Sequence, residues 1–315
     1  MTALRNKKTT VFAKAESVYG TAVALVAADA IRTHGAKITP FSANAISRDL
    51  DGQAFGNSGD IHTGAHVMLE FDVEAAGSGV AGTAPNYGKL FKACQMSETI
   101  VAVTSVTYAP ASSGTTSLTM YFQLDGQRHA LVGARGSWQI KFDSQSIAYF
   151  HFVFTGLWVD PASIADIVPD FTGFTVPRPV SYAYTPTVTL HALASIFKSF
   201  SYDHGNDVEF FDNPGEQTVE IMDRKPVGKV SLLAPTLTTK NYFTTAKADT
   251  TGGLTLVHGM TAGNIWTLAA GYTQLKTPAY GDDKGRATLD ADLNFLYSGA
   301  AGGSGVDDEM SLAFT

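Results

Sequence analysis

At 315 residues, 44% of them hydrophobic, the chain has material for one large or two ordinary domains and a sizeable core. Its net charge of −7 argues against a surface built to grip phosphate backbones. The single cysteine, Cys94, excludes an internal disulfide and any metal site made of cysteines alone.

The basic start, Met1 to Lys8, is not followed by a continuous apolar run, so neither a signal peptide nor a membrane span is expected. With 30 glycines, 11% aromatic residues and only 16% charged ones, the composition predicts a mainly β protein of many strands joined by tight turns. An extended run over Thr9–Ala13 is followed by a turn at Gly20, and Ala22 to Ile31 reads as a helix or an irregular arm. The glycine- and aspartate-rich stretch Arg48 to Asp60 reads as the tip of a long hairpin. Beyond it Val67, Leu69, Phe71 and Val73 alternate with polar residues, the period of a strand with one buried face.

A short helix is expected over Pro85 to Ala93, with Pro85 in its first turn and Tyr87, Leu90, Phe91 and Cys94 on one apolar face. Cys94 itself reads as a small buried apolar residue. Further strands are expected at Val101–Tyr108, Leu118–Leu124, His129–Ala134, Ser137–Phe142 and Ile147–Trp158. Five of the 12 prolines then fall between Asp160 and Pro186, the composition of an extended connector. A second strand run opens at Ile196–Phe200, turns at the polar corner Asp203 to Asp207 and again at Asn213-Pro214-Gly215, and continues over Gln217–Met222 and Gly228–Leu233. Asn241-Tyr242 and Lys247-Ala248 repeat Asn86-Tyr87 and Lys92-Ala93. Leu254, Leu268 and Ala287 to Leu293 then echo Leu118, Leu131 and Ala148 to Phe154 in the same order, which points to a structural duplication. In each copy one short helix covers a sheet face: Tyr87, Leu90 and Phe91 in the first, Tyr242 and Phe243 in the second.

Chemistry is scarce. There is no phosphate-binding loop, HExxH, CxxC or GxSxG motif, and no catalytic, cofactor or metal residue is assigned. His62 and His66 lack a helical frame that would aim both at one ion, and the acidic runs at Asp282-Asp283 and Asp307-Asp308-Glu309 lack the spacing of a calcium loop. Asp290 and Asp292 share a polar strand face, a pattern common to any wet strand. Trp138, Trp158 and Trp266 sit in apolar runs and read as core. The N-terminal segment and the strand-like Met310 to Phe314 read as free arms, which suit an assembly better than a monomer.

Lys14 to Thr21, Pro85 to Cys94 and Phe200 to Asn206, in this order among β segments, resemble the tail tube proteins of long-tailed bacteriophages. The resemblance implies two tandem β-sandwich or barrel-forming units, residues 1–160 and 187–315, joined by the connector 161–186. It implies a structural, non-enzymatic virion protein without cofactors, assembled in the bacterial host cytoplasm into stacked rings through which DNA passes at ejection. Three duplicated chains would replace the usual six units of a ring. Besides other copies of itself, the implied partners are the tape measure protein and the tail terminator and tip proteins, with no membrane. The implied contacts between rings are the hairpin residues Arg48, Asp49, Asp51, Phe55, Asn57 and Asp60, and His204, Asn206 and Asp207. The reading set against it is a β-rich virion module that binds or cleaves glycans.

Overall fold

The computed structural model describes residues 3–52 and 55–315. Met1, Thr2, Gln53 and Ala54, on which parts of the N-terminal and hairpin-tip readings fall, lie outside the described residues.

The first half contains β1 (Thr9–Ala15), a 3-10 turn (Ala27–Asp29), β2 (Ala30–Ile31), the long β3 (Thr33–Ser47) and β4 (Asp60–Glu74), and α1 (Gly88–Ala93). There follow β5 (Met96–Val101), β6 (Ser105–Pro110), β7 (Leu118–Leu124), β8 (Gln127–Asp143), β9 (Tyr149–Trp158) and β10 (Ala162–Ser163). The second half contains β11 (Thr187–Leu190), β12 (Leu193–Ala194), β13 (Phe197–Asp203), β14 (Asn206–Asn213), β15 (Glu216–Arg224) and β16 (Val227–Leu233). After α2 (Tyr242–Lys247) come β17 (Thr251–His258), β18 (Trp266–Asp283), β19 (Arg286–Leu296) and β20 (Ser311–Phe314). The protein is mainly β, and its sheets do not close on themselves.

Strand pairing follows one order in both halves. In the first, β1 pairs β7, β7 pairs β8, β8 pairs β9, β9 pairs β4 and β4 pairs β3, all antiparallel. In the second, the same succession is β11, β17, β18, β19, β16 and β13. Each helix follows, along the chain, the fifth strand of its succession, α1 after β4 and α2 after β16. The first half inserts the hairpin β5–β6 after its helix. The second extends its long hairpin into β14–β15, a separate two-stranded sheet.

The halves are joined edge to edge. Beyond its contact with β7, the distal part of β8 pairs β13 from Ser199 opposite Asp143 to Asp203 opposite Gln139. The result is an antiparallel ribbon in the order β3, β4, β9, β8, β13, β16, β19, β18. One face is apolar because the strands alternate: Leu69, Phe71, Phe152, Trp138, Tyr202 and Leu293 are all at most 1% exposed. They belong to one core cluster that contains residues of both halves.

Several expectations need correction. The first helix begins at Gly88 rather than Pro85, which instead accepts the Gly88 N–H in a preceding turn. The run Val101–Tyr108 is no single strand but the hairpin β5–β6, whose turn holds Val103 at φ 61°. His129–Ala134 and Ser137–Phe142 are one strand, β8, with a bulge between Val132 and Arg135 where the Tyr19 ring packs on Gly133. Ala22 to Ile31 is irregular apart from its 3-10 turn and β2. The terminal segments are not free arms. β1 is fully paired with β7, and β20 lies between β6 and β18 with Met310, Leu312 and Phe314 buried. Trp158, unlike Trp138 and Trp266, is 36% exposed at the end of β9.

Candidate assembly surfaces

Among the described residues no group of histidine, cysteine and carboxylate side chains could hold a metal ion, and no helix is long and apolar enough to cross a membrane. The titratable groups with displaced pKa values serve the fold. Burial pushes the Cys94 thiol up and the Tyr87 and Tyr242 phenols up, and both hydroxyls donate to backbone carbonyls, Tyr87 to Ala76 at 2.5 Å and Tyr242 to Leu190 at 3.1 Å. Asp290 and Asp292 stand on the wet face of β19, the former accepting from Ser231 and the latter 3.5 Å from Lys229. Asp282 closes the β18–β19 turn by accepting the Gly285 N–H. Asp307 and Glu309 receive Arg224 at 3.0 and 2.8 Å. Burial opposes charge at Arg224, but these bonds outweigh it and hold its pKa above the ordinary value. His66 stacks on Phe210 at 4.7 Å and His62 meets Phe41 edge-on.

What remains is surface shape. The second long hairpin bends at Gly205, whose φ of +65° and close approach to the Lys225 carbonyl leave no room for a Cβ. The distal part, β14–β15, then lies across the first half. The Tyr19 hydroxyl accepts the Val219 N–H at 2.6 Å, and Arg135 donates to the Val219 carbonyl at 2.7 Å.

The residues read as a polar corner lock this bend rather than face outward. His204 is fully buried against Trp138, accepts from the Tyr202 hydroxyl at 2.9 Å and has its pKa lowered to about 3 by burial and by the nearby Arg224 charge. Asn206 donates to the Cys94 and Gly136 carbonyls at 2.8 and 2.9 Å. Of this group only Asp207 is exposed. Composition suggested an exposed corner because His, Asn and Asp are usual turn residues. The flanking Phe200 and Tyr202 were the signal that the strand stays in the core.

The distal part of the first long hairpin, beyond Thr63, stands clear of the body. Arg48, Asp49, Asp51, Phe55, Asn57 and Asp60 are all exposed, Phe55 completely. Asn57 accepts the Gly59 N–H at 2.8 Å and Ser58 accepts the Leu50 N–H at 3.1 Å, which closes the tip on itself. Along its stem Phe41, edged by His62 and Trp158, and Ile46 and Ile61 are 49%, 55% and 56% exposed, a run of half-uncovered apolar side chains. The covering helices differ too. Tyr87, Leu90 and Phe91 are at most 2% exposed, whereas of α2 only Tyr242 is buried and Phe243 is half-covered.

The face of the ribbon opposite the core is polar. Alternation places Glu70, Asp72, Asp290 and Asp292 there together with Lys141 and Lys229, and Lys37–Glu70 and His151–Asp72 pair across strands.

The described residues thus form a β ribbon with unpaired strand edges, one docked hairpin and one protruding hairpin tip. The family model described as phage tail tube protein matches residues 6–296. The chain therefore belongs to the phage tail tube protein family and is a structural component of a phage tail. No curated protein matches the chain significantly.

Proposed function

We propose that the protein self-assembles into rings that stack into the tail tube and form the conduit for DNA during ejection. The observation that carries this reading is the eight-strand ribbon, apolar on one face, net acidic on the other and open at both long edges. A ribbon of this kind lowers its edge energy by closing on copies of itself.

The matched strand order supports a duplicated tube domain, with units 1–160 and 187–315 and the connector 161–186. Two units per chain make three chains, rather than six, the natural ring. Three ribbons of eight strands would give a barrel of 24, and at ~4.8 Å between strands tilted about 40° its backbone diameter is roughly 50 Å, room for a nucleic-acid duplex. The apolar face must turn toward the helices and outer strands, so the polar face lines the lumen. There Glu70, Asp72, Asp290 and Asp292 repel phosphates and let DNA slide. The protruding hairpin tip, Arg48 to Asp60, is placed to touch the next ring. The tape measure protein inside the tube and the terminator and tip proteins at its ends complete the set of partners, with assembly in the bacterial cytoplasm.

Negative-stain imaging of the purified protein after size-exclusion chromatography tests this. Rings or tubes with threefold internal averages are expected. A monodisperse monomer at every concentration and salt would refute the reading, and rings of six chains would refute the stoichiometry.

A further inference from the structure

Building on the ring reading, we propose that His34–Thr39 of β3 pairs antiparallel with Ala279–Asp283 of β18 in a second copy, repeating between chains the β13–β8 junction found within one. Residues Gln139–Lys141 of β8 are paired on one side with β9 and on the other with β13. The corresponding part of β18 is paired with β19 on one side only, because β17 ends its pairing at Gln274. Among the described residues β3 is paired with β4 alone.

The registers make the correspondence specific. Val73 faces Phe150 and Phe71 faces Phe152 in the first half, as Leu232 faces Leu289 and Val230 faces Ala291 in the second. Carried across this frame, Asp203 of β13 corresponds to Thr39 of β3, and Gln139 of β8 to Ala279 of β18. Within the chain Asp203 and Gln139 are opposite each other and their side chains bond at 2.9 Å.

Three further observations fit this pairing. Pro40 directly follows Thr39 and Pro278 directly precedes Ala279, both in bulges, so both strands lose a donor at the same end of the pairing. In the chain that end is where β13 turns away at His204. At the other end His34 falls opposite Asp283, whose carboxylate also holds Lys198 of its own chain at 3.1 Å. Finally, Phe200 and Tyr202 are buried in the completed junction, at 2% and 0% exposure, while Ala36 and Ile38 on the open edge are only half-covered and Tyr280 is 59% exposed. The exposed stem residues Phe41, Ile46 and Ile61 would then lie over the neighbour's second half, as β14–β15 lies over the first.

The test is a double variant, Thr39→Cys with Ala279→Cys, oxidised after assembly; Cys94 is buried and stays out of the reaction. Non-reducing gels should show a ladder of covalent multimers ending at the ring's chain number, while either single variant stays monomeric. The internal reference, Gln139→Cys with Asp203→Cys, should form a disulfide within one chain. Rings in the microscope whose double variant remains monomeric on the gel would overturn this junction and leave the ring reading standing. Neither rings nor ladder would overturn both. Hydrogen exchange of the unaltered protein gives a second readout: amides of 279–283 should slow at least tenfold on assembly, and unchanged exchange in assembled rings would overturn the proposal.

Discussion

The two halves of the chain share a strand order and differ in how much of it is satisfied. In the first half the helix lies beneath β5–β6 and β20, with Phe91 ringed by Tyr108, Trp138, Phe150 and Phe152 at centroid distances of 5.0 to 5.3 Å. In the second half no such hairpin follows α2, and the helix is mostly open. The long hairpins differ in the opposite sense, β14–β15 docked across the first half and the β3–β4 hairpin bare beyond Thr63, where its contacts with β14 end. The lesson is that a contact completed once within the chain marks where the other copy waits for a neighbour.

The largest expected effect breaks this contrast directly. Phe91→Ala should cost ~3–5 kcal/mol, because the surrounding strands cannot collapse into the space. Phe243→Ala, whose ring meets only Tyr280 among aromatic residues and stays half-covered, should cost about 1 kcal/mol in the isolated chain. Denaturant unfolding measures both. Equal costs would mean that α2 is packed as tightly as α1.

Next in size is the tie that fixes the docked hairpin. Arg224 at the end of β15 reaches Asp307, Glu309 and the Ala111 carbonyl, and so joins the hairpin to the C-terminal segment and to the residue that follows β6. Arg224→Met should destabilise by about 3 kcal/mol, since Glu309, 6% exposed, would keep a buried charge without its partner. Combining it with Glu309→Gln should recover part of the loss in the same unfolding assay.

Much of the architecture could be read from residues alone, and the misses share a cause. Leu118–Leu124 and the alternation from Val67 to Val73 were plain because local pattern and burial agree there. The β5–β6 turn is not marked in the sequence because Ala102-Val103-Thr104 has none of the usual turn residues, and it is Val103, 85% exposed, that takes the positive φ a glycine would announce. β8 was divided in two because Gly133 and Gly136 look like punctuation, whereas they admit the Tyr19 ring and the Phe154 ring to a continuous strand. The pairing of β20 and the burial of His204 depend on partners some 200 and 66 residues away, Tyr108 and Trp138, which no local period reveals. Of the candidate surfaces, the tip from Arg48 to Asp60 was legible from its glycines and aspartates. The open edges of β3 and β18 were not, because an edge is a property of pairing.

The docked hairpin also predicts a pH response. His204, His191 and His258 all have folded-state pKa values lowered, burial being the main cause for each. For such groups the unfolded chain binds protons first. Stability is therefore complete above the unfolded value of about 6.5 and declines as pH falls, by up to ~1.4 kcal/mol per unit for each histidine. For His204 the decline continues to about pH 3, where its folded form takes up the proton. The groups facing it are the Tyr202 hydroxyl, the Trp138 ring and the Arg224 charge. Thermal unfolding between pH 7 and 4.5 should show a falling midpoint, and His204→Gln should flatten the slope by about one proton's worth. A slope unchanged by that substitution would place the uptake elsewhere.

The smallest effect sharpens the likeness rather than the difference. Tyr87 and Tyr242 are the repeated residues of the Asn-Tyr pair, and each phenol donates to a carbonyl of the segment running beside its own helix. The Ala76 carbonyl lies in the irregular stretch after β4 and the Leu190 carbonyl at the end of β11, and both bonds are buried, so Tyr87→Phe and Tyr242→Phe each take one donor from a buried carbonyl. Each should cost about 1 kcal/mol. Equivalence of the two, despite the ~2–4 kcal/mol by which Phe91→Ala and Phe243→Ala are expected to differ, would mark the phenol bond as the feature common to both copies. The Asn partner provides the control. Asn241 caps α2 by accepting the Phe243 and Thr244 N–H groups, both at 3.1 Å, whereas α1 has no side-chain cap. Asn241→Ala should therefore cost ~1 kcal/mol and Asn86→Ala less, so that the tyrosine carries the shared role and the asparagine only half of it.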